Sequence, residues 1–237
     1  MLRISDLGEI EEFDRRIREV LGPDSLPEYT VEPIPSGVPI LLLFERGALS
    51  TVFTKGARVG GQDVTRNVKT ILSVPLSLHS LLAGKEPPAR LEVWGTVYAE
   101  RNAVKADIGY ESMRDMVSAS LIGADMRDAA RFPLDMFCHG AEQEIELSRY
   151  IGAASHFEVM LMLQDWGFRV NKPHIRLCSG ITEVIQAIRT VEEQKESSYE
   201  LDEAVVQLNL LAQRSAVEAA SDLKGVIEYE IKPPQRG

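Results

Sequence analysis

Apolar and polar positions between Tyr29 and Ile71 fall into a run of short strands followed by a loop and a polar helix. Tyr29-Thr-Val-Glu-Pro33 alternates and is stopped by proline, and Ser36-Gly37 supplies turn chemistry. Val38-Pro-Ile-Leu-Leu-Leu-Phe44 is a continuous apolar run of strand length, which predicts burial on both faces. Glu45-Arg46-Gly47 predicts a hairpin turn into a strand over Leu49–Thr54. Gly56–Gly61 reads as a glycine-rich loop and Gln62–Ile71 as a short polar helix.

The flanking chain follows helix and strand periods in turn. Ile10, Phe13, Ile17, Val20 and Leu21 form one stripe, predicting an amphipathic helix over 5–21 with Ser5 as N-cap and Gly22-Pro23 as its end. Ser73–Leu78 reads as extended, 83–88 as a surface loop and Leu91–Tyr98 as a strand. Ile181, Val184, Ile185, Ile188 and Val191 mark one side of a helix that opens at Ser179.

Composition narrows the function classes. An apolar fraction of 44% over 237 residues is that of a globular chain with enough material for one large core or two modest ones. There is no apolar run of about 18 residues, and the start turns acidic before any signal-peptide core could form, so the expectation is a cytoplasmic protein with no membrane partner. The net charge of −10 and the lack of a basic block speak against tracking a nucleic-acid backbone. Cys138 and Cys178 have no ligand spacing with His79, His139, His156 or His174; the pattern predicts two buried thiols, four scattered histidines and no metal site. Cys138-His139 is not a dyad, because neighbours on a strand point to opposite faces.

Several segments, in order, resemble the adenylation domain of NAD-dependent DNA ligases. Glu32-Pro33-Ile34-Pro35-Ser36-Gly37 is similar to that family's Glu-Pro-Lys-x-Asp-Gly turn, and the stretch from Thr54 to Asn67 to its Thr-Arg-Gly-Asp-Gly-x-x-Gly-Glu-Asp-Val-Thr-x-Asn loop. Leu91-Glu-Val-Trp-Gly-Thr-Val-Tyr98, Arg131–Gly140, Leu163-Gln-Asp-Trp-Gly-Phe-Arg-Val-Asn171, Tyr199–Asn209 and Val226–Ile231 follow further family segments. The resemblance covers about residues 24 to 231 and implies an α+β nucleotidyltransferase fold, ATP-grasp-like, with antiparallel sheets flanked by helices. The expected organisation is an N-terminal helix and linker over 1–27, the adenylation-like domain over 28–232 as two subdomains around a cleft, and a tail over 233–237.

The same resemblance implies a chemistry that this chain does not carry. The family's attacking lysine is matched by Ile34 and the carboxylate beside it by Ser36. Trp94 and Thr96 match an arginine and a ribose-binding glutamate; Gln207 and Glu230 match the two phosphate-clamping lysines. Phosphoramidate formation needs an amine with a lone pair and cations that neutralise phosphate charge, so no catalytic residue is expected. Glu32, Gly37, Lys55, Arg114 and Asp202 remain as candidates for a residual pocket that would take NAD or AMP. Otherwise Gly37 makes a turn, Asp202 satisfies backbone donors, Lys55 and Arg114 pair with Glu230 or Glu32, Trp94 plugs the cleft instead of serving as a base-stacking platform, and no cofactor binds. Residues 1–28 hold no Tyr or His, so the Tyr- and His-bearing helical device with which the family grips nicotinamide is not expected. The reading that follows is an inactive binding or scaffolding module with a protein partner or self-association. Its rival is a ligase-type enzyme using Lys55 or Lys69.

Overall fold

The computed structural model describes residues 2–54, 61–81, 84–101, 109–123, 132–193 and 198–231. Lys55 and most of the glycine-rich loop lie outside the described residues. The chain folds into two sheets with helices packed on one face of each, the α+β arrangement expected.

The first sheet has the order β1 (Leu2–Ile4), β9 (Val226–Glu230), β8 (Leu201–Leu208), β2 (Glu28–Pro35), β7 (Arg176–Ser179). All its pairings are antiparallel except that of the three-residue edge strand β1 on β9, which is parallel. A three-residue edge strand shows no readable period, and the helix that follows it carries the chain away before β2 can pair beside it.

Helix α1 (Leu7–Leu21) buries Ile10, Phe13 and Ile17 as the stripe predicts. Its cap is Asp6, not Ser5: the Asp6 carboxylate accepts the Gly8 N–H at 2.7 Å while Glu9 reaches back to the Asp6 N–H at 3.2 Å. This reciprocal box satisfies two orphan donors and sets the start one residue later. The Tyr29 hydroxyl of β2 donates to Asp14 at 2.7 Å, and Arg18 bonds the other Asp14 oxygen at 2.7 Å. The helix is thereby fixed to the sheet face bearing Tyr29, Val31, Val206, Leu208 and Ile227, together with α6 (Ile181–Glu193) and α7 (Leu211–Ala220).

The second sheet has the order β4 (Ala48–Thr54), β3 (Gly37–Glu45), β5 (Arg90–Ala99), β6 (Leu134–Ala141), all antiparallel. Arg46 at φ 51 and Gly47 at φ 76 form the β3–β4 hairpin turn. Val38, Ile40, Leu42 and Phe44 face a core shared with α3 (Met113–Ile122), α4 (Glu144–Ile151) and α5 (His156–Asp165). The intervening Pro39, Leu41 and Leu43 are only half-buried, so β3 is not buried on both faces as its sequence predicts. Pro39 and Leu41 share their face with Thr96 and Trp94 of β5. The polar helix predicted over Gln62–Ile71 shortens to one turn, α2 (Thr65–Val68), held by Asn67 Nδ2 donating to the Leu121 and Gly123 carbonyls at 2.6 and 2.9 Å.

Gly37 is needed for close approach rather than for a turn. It sits in β3 opposite Tyr98, and a β-carbon there would lie 2.1 Å from the Val97 carbonyl oxygen. Gly37→Ala is expected to lower unfolding stability by about 1–3 kcal/mol, read as a shift in the urea midpoint, because the strand backbone must move. An unchanged midpoint would show that β3 can slide at no cost.

Candidate functional site

Three strands of the first sheet present Ile34, Gln207 and Glu230 on one face. Residues in register on neighbouring strands point the same way. Ile34, Glu203 and Glu230 form one row, Glu32, Val205 and Glu228 the next, and Thr30, Gln207 and Val226 the third. Ile34 is 4% exposed, and the β2–β8 register shifts between it and Pro35, whose ring nitrogen cannot donate. Arg3 of β1 pairs with Glu203 at 3.5 Å. Burial, with Glu228 nearby, pushes the Glu203 carboxyl above its ordinary value. This face is therefore apolar at Ile34 and Val205 and acidic beyond them.

Deep in the same cleft lies a buried ion network that the sequence does not announce. His156, at the start of α5, donates from Nε2 to Glu32 at 2.6 Å and from Nδ1 to Glu144 of α4 at 2.5 Å. The guanidinium of Arg214 on α7 bonds the second Glu144 oxygen at 2.5 Å and the Gln207 carbonyl oxygen at 3.2 Å. His156, Glu32, Glu144, Gln207 and Arg214 are each less than 8% exposed. Two acids and two cations balance, and every charged member has a partner, the condition under which buried charge is tolerated. Burial alone would strip the imidazolium of its proton, but the Glu144 and Glu32 carboxylates outweigh that and hold His156 up at about 10. Burial likewise favours a neutral Glu144, yet His156 and Arg214 hold it down at about 2.

The second sheet supplies the opposing wall. Trp94 and Thr96 of β5 project onto it beside Leu41 and Pro39 of β3. The Trp94 ring lies against His139, centroids 5.3 Å apart, and the His139 ring nitrogen is 3.2 Å from the Thr96 hydroxyl. Nearer Gly37, Tyr98 stacks on Phe137 at 5.0 Å and Tyr199 closes over both, at 5.0 and 5.7 Å. This aromatic group, capped by Arg169 5.0 Å from the Phe137 ring, fills that end of the cleft. Trp94 does not plug the cleft as expected; it forms one wall of a cavity of about 440 Å³ whose lining also includes His139, His156, Gln207, Arg214 and Val226.

The structure thus brings Glu32, Ile34, Gln207 and Glu230 together on one sheet face, opposite Trp94 and Thr96 on the other. Ser36 is 9% exposed at the β2–β3 junction, its N–H donating to the Glu200 carbonyl at 2.7 Å. Arg114 pairs with Asp202 at 3.2 Å near the surface, while Glu32 is taken by His156 and Gln207. Cys138 and Cys178 are buried, and burial pushes both thiols up. His156, Glu144 and Arg214 are missing from the sequence-based candidates. Separations of 12, 70 and 124 positions between bonded partners leave no local signal, and His156 counts there as one of four scattered histidines.

Comparison with known proteins gives one family. The model of the NAD-dependent DNA ligase adenylation domain matches residues 4–221. The chain is 33% identical over 214 residues to a DNA ligase of Alcanivorax borkumensis, covering 86% of this chain and 26% of that protein. It is 34% identical over 238 residues to a DNA ligase of Syntrophotalea carbinolica, covering 96% and 34%. Among solved structures, a mycobacterial DNA ligase D complexed with ATP and MES aligns over 86% of this chain and 56% of that one, at 9% identity and a TM-score of 0.43. The chain spans about a third or less of the length of the curated relatives it matches.

Proposed function

The chain belongs to the NAD-dependent DNA ligase adenylation-domain family, and from that premise we propose that this protein is a binding module that does not form the lysine–AMP adduct. The observation that carries the reading is Ile34: buried to 4% exposure, it stands where the family's attacking lysine is matched, in one row with Glu203 and Glu230. An isoleucine has no lone pair to attack phosphorus. Around it, the positions that would neutralise phosphate are neutral at Gln207 and negative at Glu230, and Glu32 is committed to His156. Catalysis by charge stabilisation needs donors aimed at developing negative charge, and this face offers the opposite sign.

What remains is an acidic, partly apolar cleft suited to holding a ligand or a protein partner. A cytoplasmic location goes with this reading; among the described residues no helix is long and apolar enough to cross a membrane.

Incubation of the purified protein with NAD or ATP and divalent cation is expected to leave its intact mass unchanged. A mass increase of one AMP would overturn the reading. If that adduct disappeared in Lys55→Ala or Lys69→Ala, the ligase-type enzyme with a displaced lysine would replace it.

A further inference from the structure

A second cavity, of about 360 Å³, belongs to the second sheet and takes no residue from the first. It borders the Trp94-lined cavity, sharing Ala141, Gln143 and Glu146 with it. One face of α4 supplies much of its lining: Gln143, Glu146, Leu147 and Tyr150 recur at the spacing of neighbours along a helix surface. Leu91 of β5 and Ala141 of β6 complete its apolar part. Leu91, Ala141 and Leu147 are each less than 8% exposed, whereas Gln143, Glu146 and Tyr150 reach solvent. The cavity therefore offers buried hydrocarbon beside a few polar groups, the division found in small-molecule sites.

The charges of the lining decide what such a molecule carries. Arg90 is matched by Glu92 at 2.7 Å. Lys85, close by, is taken up by Tyr150: it donates to the Tyr150 carbonyl and lies 5.5 Å from the centre of that ring. The Tyr150 hydroxyl donates in turn to the Glu86 carbonyl at 3.2 Å, which holds the ring in place. Glu146, by contrast, has no hydrogen-bond or ion-pair partner among the described residues. A carboxylate without a cation thus stands beside a hydrocarbon pocket. An ammonium on an apolar body satisfies both; an anion would meet like charge at Glu146, and a neutral molecule would leave it unmatched.

We propose that this cavity is a site for a small organic monocation, an ammonium on an aromatic or branched aliphatic body, with Leu91, Ala141 and Leu147 taking the body and Glu146 the charge. The inference goes beyond the preceding reading and uses none of the positions matched to the family's chemistry. An AMP adduct in the mass experiment would overturn that reading and leave this site standing.

Three probes of one shape test it: phenethylamine, phenethyl alcohol and phenylacetate, each titrated into the whole protein at low ionic strength while the methyl signals of Leu91, Ala141 and Leu147 are followed by NMR. The amine is expected to shift those methyls at millimolar concentration and to bind about twofold to fivefold more tightly than the alcohol, with phenylacetate weakest and the gap closing as salt is added. Glu146→Gln should bring the amine to the alcohol's affinity and leave the alcohol unchanged. The Glu146 side chain is exposed and bonds no described residue, so this variant should keep the unfolding midpoint. Equal affinity for amine and alcohol, tighter binding of phenylacetate, a preference that survives Glu146→Gln, or no shift of these three methyls with the amine would each overturn the proposal.

Discussion

Replacing His156 by alanine is expected to remove about 3–5 kcal/mol of unfolding free energy, among the largest effects open to a single substitution in this chain. The loss comes from what is left behind. Glu32 and Glu144 would stay buried without the imidazolium between them, and of these two carboxylates Arg214 bonds Glu144. A buried charge stripped of its partner costs more than the pair contributed.

The pH dependence gives the effect a signature that a simple packing defect lacks. His156 is held at about 10 in the folded protein against 6.5 as its ordinary value. Its contribution is complete below about pH 6.5 and is lost as pH rises through 10. Glu144 is held at about 2 against 4.5, so its contribution is complete above about pH 4.5 and is lost as pH falls toward 2. Urea midpoints measured against pH should form a plateau between these limits, and His156→Ala should flatten the alkaline limb. A variant that keeps the full alkaline slope would assign that slope to other groups.

Restoring the amine at position 34 is expected to leave the protein without an adenylate. Ile34→Lys supplies an attacking nitrogen, but each missing electrostatic partner costs about 10²–10³ in rate. With Gln207 and Glu230 both unsuited to phosphate, the restored amine would be held back by roughly 10⁴–10⁶ if the two effects multiply. The new ammonium would also have Glu203 beside it in register, which stabilises its protonated, non-nucleophilic form. Intact mass after prolonged incubation with NAD is the readout. Adenylate on Ile34→Lys alone would show that the cleft has kept its catalytic electrostatics. The combined change Ile34→Lys, Gln207→Lys and Glu230→Lys is the variant in which adduct should first appear.

The expectations that failed share one cause. Ser5 gave way to Asp6 as the cap, a choice set by which side-chain oxygen reaches a free N–H. The apolar run Val38–Phe44 reads as buried on both faces, yet Pro39, Leu41 and Leu43 are only half-buried, because an unbroken apolar run carries no period to tell a fully covered face from a partly covered one. Trp94 reads as a plug, but the ring turned against His139 and left the cavity open, while Tyr98, Phe137 and Tyr199 filled the other end.

The sequence by itself determined the α+β class, most of the strands and the long helices, because hydrophobic periods and turn residues act over a few positions. It also placed an isoleucine, which has no amine to offer, at residue 34 of a recognisable frame. Only the tertiary structure decided that Glu32 is spent on His156, that Arg214 and Glu144 close a balanced network, and that Glu142, Glu146 and Glu218 line the cavity beside it. Those partners lie far apart along the chain, and burial and Coulomb energy depend on distance in space, which strand registry and helix docking set.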